Sequence, residues 1–159
     1  MSRSVLVTGG NRGIGRAIAE AFVASGDKVA VTHRSGEPPE GTLGVICDVT
    51  DPASVEAAFA QVEEAHGPVE VLVANAGITH DTLLLRMSED DWSSVIETNL
   101  TGSFRVAKRA AKGMLRLRRG RIVLISSVVG LLGSAGQVKD NTVEHFQVGL
   151  KLGFRLEDD

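Results

Sequence analysis

Residues 8–15, with the sequence TGGNRGIG, decide the fold of this chain. They close a short apolar run at residues 5–8, and such a run bounded by glycine is typical of a parallel strand buried on both faces. A helical pattern begins at about Ile14, so Gly9, Gly13 and Gly15 lie where a strand passes into a helix. Glycine there allows the turn and lets backbone N–H groups approach a pyrophosphate at the positive end of the helix. The stretch predicts a dinucleotide phosphate cradle, with a tight turn made for packing alone as the alternative.

Strand and helix patterns alternate beyond this stretch. Further strands are expected at residues 29–32, 43–47, 69–74 and 121–126, and helices at residues 14–25, from residue 51 and at residues 88–116. The apolar faces expected for the first two helices are formed by Ile18, Ala21 and Phe22 and by Val55, Phe59 and Val62. Such alternation implies right-handed crossovers and a parallel sheet. The predicted fold class is α/β, a Rossmann-type three-layer parallel sheet, truncated after the fifth strand and followed by an extra C-terminal β-strand.

The residues after the second and third strands bear on the choice of cofactor. The second strand ends in His33-Arg34, and no acid stands there to bind the ribose hydroxyls of NAD. Arg34, with Arg12, would hold a 2′-phosphate through charge-assisted hydrogen bonds, so NADP is favoured; two solvated surface arginines are the alternative. Asp48 is expected to accept a hydrogen bond from an adenine amine or to cap the helix ahead of Pro52. The expected cofactor-binding residues are Gly9, Asn11, Arg12, Gly13, Ile14, Gly15, Arg34, Asp48, Val49, Asn75, Ala76 and Gly77.

The motifs together resemble a known family. They are TGGNRGIG, CDVT at residues 47–50, NAGIT at 75–79, NLTG at 99–102 and GRIVLISSVVG at 120–130. In this order and spacing they resemble the short-chain dehydrogenase/reductases, and among these the bacterial 3-oxoacyl-acyl-carrier-protein reductases of fatty-acid synthesis. The resemblance covers residues 2–137 and implies hydride transfer from NADPH to a 3-oxoacyl thioester carried by acyl carrier protein.

The resemblance also implies catalytic residues, and here the chain departs from the family. By position, Asn99 matches the asparagine that helps to hold a proton-relay water, and Ser127 matches the serine that donates to the substrate carbonyl. A backbone-satisfied polar residue and a locally bonded loop hydroxyl are the respective alternatives. The family's tyrosine and lysine positions hold Asp140 and Glu144, and the chain contains no tyrosine. An aspartate is ionised at neutral pH and would not protonate an alkoxide, so impaired catalysis is expected.

The last part of the chain has a different pattern. Apolar and polar residues alternate over residues 144–156, which is typical of a half-exposed strand. Residues 143–158 resemble the closing strand of dodecins, small flavin-storing proteins, in which the residues matching Gln147 and Arg155 contact flavin. Only a third of a dodecin is present, so flavin binding is not expected. The chain is therefore divided into an incomplete NADP-binding domain at residues 1–137 and a dodecin-like β tail at residues 138–159.

Composition limits the remaining function classes. A net charge of -3 gives no reason to expect nucleic acid or an anionic membrane as partner. The single cysteine, Cys47, makes the reducing cytoplasm the default compartment, and the four histidines show no metal-ligand spacing. A basic stretch at residues 105–121 is either a surface for the acidic carrier protein or a solvated helix face.

Three functions remain open from the sequence. The first is an NADPH-dependent 3-oxoacyl-carrier-protein reductase with impaired catalysis. The second is a non-catalytic NADP-binding domain that keeps the cradle. The third is an assembly module whose tail strand pairs between chains to give a homo-oligomer.

Overall fold

The computed structural model describes residues 2–127, 138–139 and 142–143. Strands β1 to β5 are Ser4–Thr8, Lys28–His33, Thr42–Ile46, Val71–Ala74 and Arg121–Leu124, and β6 and β7 are Val138–Lys139 and Thr142–Val143. Helices α1 to α4 are Gly13–Ala24, Pro52–His66, Glu89–Val95 and Gly102–Leu117. A 3₁₀ turn at Leu84–Arg86 precedes α3, and a π-helical segment, Ile96–Thr101, joins α3 to α4.

The first five strands form one parallel sheet in the order β3-β2-β1-β4-β5. The order reverses between β1 and β4, because the chain first moves outward to β3 and then crosses back to β4. In open α/β sheets the crevice at such a reversal, beyond the carboxyl ends of the strands, is where ligands bind. The predicted Rossmann-type parallel sheet is confirmed.

Two apolar layers cover the two faces of the sheet. On one face, α2 and α4 pack through residues that include Phe59, Val62 and Val106 against Leu6 and Leu72 of the central strands. On the other face, α1 packs against the remaining side chains of β1, β2 and β4. Both faces of β1 and β4 are therefore buried, which explains why β4 and the centre of β1 are apolar instead of alternating.

The sequence-predicted face of α1 needs one correction. Ala19 is buried and Ile18, Phe22 and Val23 pack partly buried against the sheet, whereas Ala21 is exposed. Helix periodicity brings residues 18, 19, 22 and 23 onto one stripe and turns residue 21 away from it. The predicted buried face of α2, formed by Val55, Phe59 and Val62, is confirmed.

The helix expected at residues 88–116 is present but not uniform. It begins with a capping box in which Ser88 Oγ accepts from the Asp91 N–H at 3.0 Å, as the sequence indicates. The segment Ile96–Thr101 then widens into a π-helix before α4 continues. A π-helix bonds residue i to residue i+5 and is frequent at functional sites, but the apolar pattern does not reveal it.

Part of the predicted C-terminal region lies outside the described residues, including Asp140, Glu144 and the expected strand at residues 144–156. The described part is an antiparallel pair in which Val138 of β6 faces Val143 of β7. The division of the chain at residue 137 remains a prediction. Within residues 2–127 and the two short strands, no helix has the length and apolar character needed to cross a membrane.

An ion pair between the half-exposed Arg3 and the buried carboxylate of Asp27 ties the start of the chain to the turn before β2. The Arg3 guanidinium donates to both carboxylate oxygens of Asp27, at 3.1 and 2.6 Å, and Asp27 also accepts from the Arg3 N–H at 3.0 Å. The Asp27 side chain is only 4% exposed. The hydrogen bonds from Arg3 hold the pKa of Asp27 below its usual value although burial acts in the opposite direction. The folded state therefore favours the ionised carboxylate.

We expect Asp27→Asn to lower the melting temperature at neutral pH, because the substitution removes the charge that Arg3 binds. A carboxyl group whose pKa is lower in the folded state stabilises the fold above its unfolded pKa of about 4 and loses that effect as the pH falls further. The difference between wild type and variant should thus be constant from about pH 5 to 7 and shrink below about pH 4. Thermal unfolding followed by circular dichroism measures it.

Glu20→Gln is the matched control, because Arg16 and Glu20 form an ion pair in which both side chains are about half exposed. Such surface pairs contribute little, so its melting temperature should stay within about 1 °C of wild type. The stabilising role of the Arg3–Asp27 pair would be contradicted if the two substitutions lowered the melting temperature equally. It would also be contradicted if the melting-temperature difference between wild type and Asp27→Asn were undiminished at pH 3.

Candidate functional site

The loop between β1 and α1 makes the predicted tight turn. Gly9 and Gly13 have φ angles of 64° and 55°, in the left-handed region that favours glycine. The Gly9 N–H donates to Thr32 Oγ1 at 3.2 Å, which ties the loop to the end of β2. The first turn of α1 contains no acidic residue, and the Arg12 side chain at its N-cap makes no cap hydrogen bond within the described part of the chain. The start of α1 thus keeps its partial positive charge and its N–H groups for another acceptor.

The close approach of α1 to the end of β4 fixes the shape of this loop. A Cβ atom at Gly15 would lie 2.5 Å from the Gly9 carbonyl oxygen and still nearer to Asn75 Nδ2, so only glycine fits. Asn75 Nδ2 donates to the carbonyl oxygens of Thr8 and Gly9, at 3.0 and 3.2 Å. In return, Thr8 Oγ1 accepts from the N–H groups of Asn75 and Ala76, each at 3.0 Å. The loops after β1 and β4 are therefore locked together.

Asn99 holds the loop after β4 from the other side. Its Oδ1 accepts from the Ile78 N–H at 2.9 Å, and its Nδ2 donates to the Ile78 carbonyl oxygen at 2.8 Å. Its own carbonyl oxygen accepts from Ser103 Oγ at 2.7 Å. Because Asn99 lies in the π-helical segment, the wide turn presents its side chain to this loop. The side-chain amide is thus satisfied by the backbone, which was the alternative interpretation of the sequence.

Two adjoining pockets follow the carboxyl edge of the sheet. The cradle pocket, of about 330 Å³, lies over the loop after β1 and the ends of β2 and β3. The outer pocket, of about 610 Å³, lies beside α3 and the π-helical segment. They share Arg12, Ile14 and residues 75–78. The cavity is therefore continuous from the ends of β2 and β3 to the end of β5.

The expected cofactor-binding residues gather at the cradle pocket. Those that line it are Gly9, Asn11, Arg12, Gly13, Ile14, Arg34, Asp48, Val49, Asn75, Ala76 and Gly77. Gly15 is buried beneath them. The arginines Arg12 and Arg34 are both exposed side chains at the same cavity. Residues that are far apart in the sequence thus converge where the predicted cofactor would lie.

Asp48 has a local partner that the sequence did not suggest. Its Oδ1 accepts from the Thr50 N–H at 2.9 Å and from Thr50 Oγ1 at 2.7 Å. These hydrogen bonds, and to a smaller extent the charge of Arg34, hold the pKa of Asp48 below its usual value. The alternative that Asp48 caps α2 is wrong, because Asp51 accepts from the N–H groups at the start of that helix. An ionised Asp48 therefore stands at the cradle pocket.

Ser127 and Asn99 belong to the outer pocket. Strand β5 ends at Leu124, and the chain continues through Ile125 and Ser126 to Ser127, which lines this cavity with Asn99. The apolar side of the same cavity is formed by residues that include Met87 and the partly exposed Trp92. The outer pocket thus has Asn99, Ser127 and an apolar wall in its lining, beside the shared residues 75–78.

Several residues of the basic stretch are engaged in ion pairs. Arg109 donates to Glu63 at 2.7 and 3.0 Å and to Glu56 at 2.8 Å, which joins α4 to α2. Arg105 pairs with Glu97, and Arg119 pairs with Glu70. The stretch is thus in part a structural element. A carrier-protein surface, if this face forms one, would use its exposed cations Lys108, Lys112, Arg116 and Arg118.

Cys47 has the buried position that its sequence context suggests. It lies at the end of β3 with 4% of its surface exposed, and burial raises the pKa of its thiol. The thiol is therefore a packing group and not an activated nucleophile. Within the residues that the structure describes, no group of three or more histidine, cysteine or acidic side chains is arranged to hold a metal ion.

Sequence reasoning missed two residues that hold the site together. Thr8 follows the apolar residues 5–7 at the end of β1, and its hydroxyl accepts hydrogen bonds from the loop after β4. A single polar residue at the end of a buried strand is a signal that could have found it. Ile78 acts through its backbone, so its side chain carries no signal for its role.

Comparisons with known proteins agree with this geometry. A family model described as short chain dehydrogenase matches residues 3–140. The 3-oxoacyl-[acyl-carrier-protein] reductase MabA of Mycobacterium avium is 58% identical over 137 residues, which cover 86% of this chain and 54% of that relative. The reductases named FabG of Salmonella typhimurium and Escherichia coli are 47% and 45% identical over 140 residues, which cover 83% of this chain and 57% of each relative. The chain spans about half the length of the curated relatives it matches.

We expect Gly15→Ala to destabilise the fold by several kcal/mol, because its Cβ would overlap the Gly9 carbonyl and the Asn75 amide. Gly113→Ala is the matched control in α4, where a Cβ would find Glu63 Oε1 at an ordinary 3.6 Å. That change should stabilise the helix by about 0.5–1 kcal/mol. Urea unfolding of both variants measures the free energies. A Gly15→Ala variant as stable as wild type would contradict the close approach described here.

Proposed function

Because the chain belongs to the short-chain dehydrogenase family, we propose that it binds NADP(H) in the cradle pocket at the site of a 3-oxoacyl-acyl-carrier-protein reductase. The observation that carries the proposal is the start of α1, which has no acidic residue in its first turn and no side-chain cap among the described residues, and which lines the cradle pocket. The N–H groups and the partial positive charge at this helix start need an anionic acceptor. A pyrophosphate at the N-terminus of α1 fits that requirement.

The residues around the cradle fit a cofactor that carries a 2′-phosphate. Arg12 and Arg34 line one cavity with Thr32 and His33 at the end of β2. No carboxylate follows β2 directly, where an acid would bind a free ribose 2′-hydroxyl and repel a phosphate. Asp48 lies at the same cavity, where its carboxylate is suited to accept from an adenine amine. These contacts support NADP(H) over NAD(H).

The outer pocket is the proposed place of the acyl substrate. The nicotinamide of a bound cofactor would supply hydride to a carbonyl carbon there. Ser127 lines the pocket and is suited to donate a hydrogen bond to that carbonyl oxygen. Asn99 fixes the loop after β4, which lines both pockets, and by resemblance it would help to hold a proton-relay water. A 3-oxoacyl chain would lie along the apolar wall that includes Trp92.

Proton supply is the weak point of this proposed reaction. Relatives of this kind use a tyrosine and a lysine at the positions of Asp140 and Glu144, according to the family resemblance. Two carboxylates would repel a forming alkoxide and would not protonate it at neutral pH. General-acid help is typically worth about 10²–10⁴ in rate. We therefore propose that this chain binds the cofactor but reduces 3-oxoacyl groups poorly.

The alternative functions differ in what they require of the cradle. A non-catalytic NADP-binding domain is favoured by the absence of any tyrosine from the sequence. An assembly module, with a tail strand that pairs between chains, would need no cofactor at all. The first proposal includes the acyl carrier protein as partner and the reducing cytoplasm as compartment, and the assembly module includes a homo-oligomer.

We expect the protein to bind NADPH at least about tenfold more tightly than NADH, and Arg34→Ala to remove most of that preference, since charge-assisted hydrogen bonds to a phosphate contribute on this scale. Arg16→Ala is the control, because Arg16 lies on α1 outside the cradle pocket and pairs with Glu20. Fluorescence titration of each nucleotide measures the dissociation constants. If wild type shows no saturable binding of NADPH, the proposed function is wrong.

We expect turnover of an acetoacetyl thioester with NADPH to stay close to the uncatalysed rate, because the proton donor is missing. Ser127→Ala should then leave both this rate and the affinity for NADPH nearly unchanged. Absorbance at the NADPH band follows the reaction. If wild type instead reduced the thioester at a substantial rate that Ser127→Ala abolished, that result would contradict the proposed impairment and support an active reductase.

A further inference from the structure

One hydrogen bond connects the two loops that carry the arginines of the cradle pocket. Asn11 Nδ2, in the loop after β1, donates to the Ser35 carbonyl oxygen, in the loop after β2, at 2.8 Å. Gly36 makes room for this contact, since a Cβ there would lie 3.2 Å from the same nitrogen. Asn11 directly precedes Arg12, and Ser35 directly follows Arg34. The bond therefore joins the neighbours of the two arginines.

The Gly9 and Gly10 N–H groups bind Thr32 within β2, and the Asn11 bond extends this tie to the residue that follows Arg34. Arg12 and Arg34 are both cations at one cavity, and like charges repel. Arg34 and most of the loop from residue 34 to residue 41 are exposed, so the packed core does not hold this end of the loop. At its far end, the Thr42 N–H and Oγ1 donate to the Pro39 carbonyl oxygen, and Pro39 is buried. The far end is thus anchored independently of the pocket.

We propose that Asn11 is a positioning residue for cofactor selectivity, which holds Arg34 beside Arg12 through Ser35 so that both cations meet a 2′-phosphate. This rests on the proposed binding of NADP(H). NADH lacks the phosphate and gains nothing from the placement of Arg34. Preorganised cations bind an anion more tightly because the ordering is complete before the ligand arrives. Asn11 therefore affects NADPH and hardly affects NADH, although its side chain is directed to the neighbouring loop.

The test compares nucleotide binding by wild type and Asn11→Ala, with the adenosine fragments 2′,5′-ADP and 5′-AMP used beside NADPH and NADH. Loss of one net hydrogen bond corresponds to about a fivefold change in affinity. We expect Asn11→Ala to weaken NADPH and 2′,5′-ADP by about fivefold, while NADH and 5′-AMP change by less than about twofold. Isothermal titration measures all four, and circular dichroism verifies that each variant is folded.

Gly36→Ala tests the same contact from the other loop. Gly36 has a φ of 81°, and Gly26 has the same φ of 81° but with open space where a Cβ would lie. Both substitutions impose similar backbone strain, yet only Gly36→Ala crowds Asn11 Nδ2. Gly36→Ala should therefore reduce the preference for NADPH as Asn11→Ala does, and Gly26→Ala should leave it unchanged. Gly36→Ala also decides the question if Asn11→Ala does not fold.

The outcomes separate this inference from the proposal on which it rests. If wild type binds neither NADPH nor 2′,5′-ADP saturably, the proposed function is wrong and this inference is wrong with it. If wild type prefers NADPH but Asn11→Ala keeps the full preference, only the positioning role is wrong. Equal loss of NADPH and NADH would also overturn it, because Asn11 would then serve the part of the cradle that both nucleotides share.

Discussion

The contact between Gly15 and Asn75 is the constraint on which the site depends. It brings the first turn of α1 against the loop after β4, so that elements about 60 residues apart in sequence are in direct contact. The Asn75 amide can then reach the carbonyl oxygens of Thr8 and Gly9, and the Thr8 hydroxyl can receive the N–H groups that follow β4. Backbone polar groups at the end of each strand are in this way paired with a side chain from the end of the other. The N–H groups at the start of α1 have no side-chain cap among the described residues and are left to bind another acceptor.

The same arrangement explains how the two pockets are separated. Residues 75–78 line both pockets and form the boundary between them. Thr8 binds this segment at Asn75, and Asn99 binds it at Ile78. A displacement of this short segment would change both cavities at once. The ion pairs of Arg109 with Glu56 and Glu63 lie away from the boundary and join α4 to α2. Those charges stabilise the layer behind the sheet, whereas Arg12 and Arg34 stand at the cavity itself.

Much of the fold was predictable, because strand and helix patterns in α/β proteins are local. The glycines after β1, the apolar strands and the cap at Ser88 depend on neighbouring residues only. The local role of Asp48 was not predictable, since two carboxylates, at positions 48 and 51, compete for one helix start. The Asn11 bond was also hidden, because its acceptor is a backbone oxygen, which every residue possesses. A contact made through the main chain does not determine which side chain stands at that position.

The π-helical segment has a consequence for any comparison of the chain with an ideal helix. A turn that contains an extra residue rotates everything after it by about 100° relative to an unbroken α-helix. Helices α3 and α4 are therefore out of phase, and a helical wheel drawn across both would assign their faces incorrectly. Removing one residue between Ile96 and Thr101 would restore a regular spiral and swing the Asn99 amide away from Ile78. The irregular turn directs the Asn99 side chain to the loop after β4 while α4 keeps its own apolar stripe against the sheet.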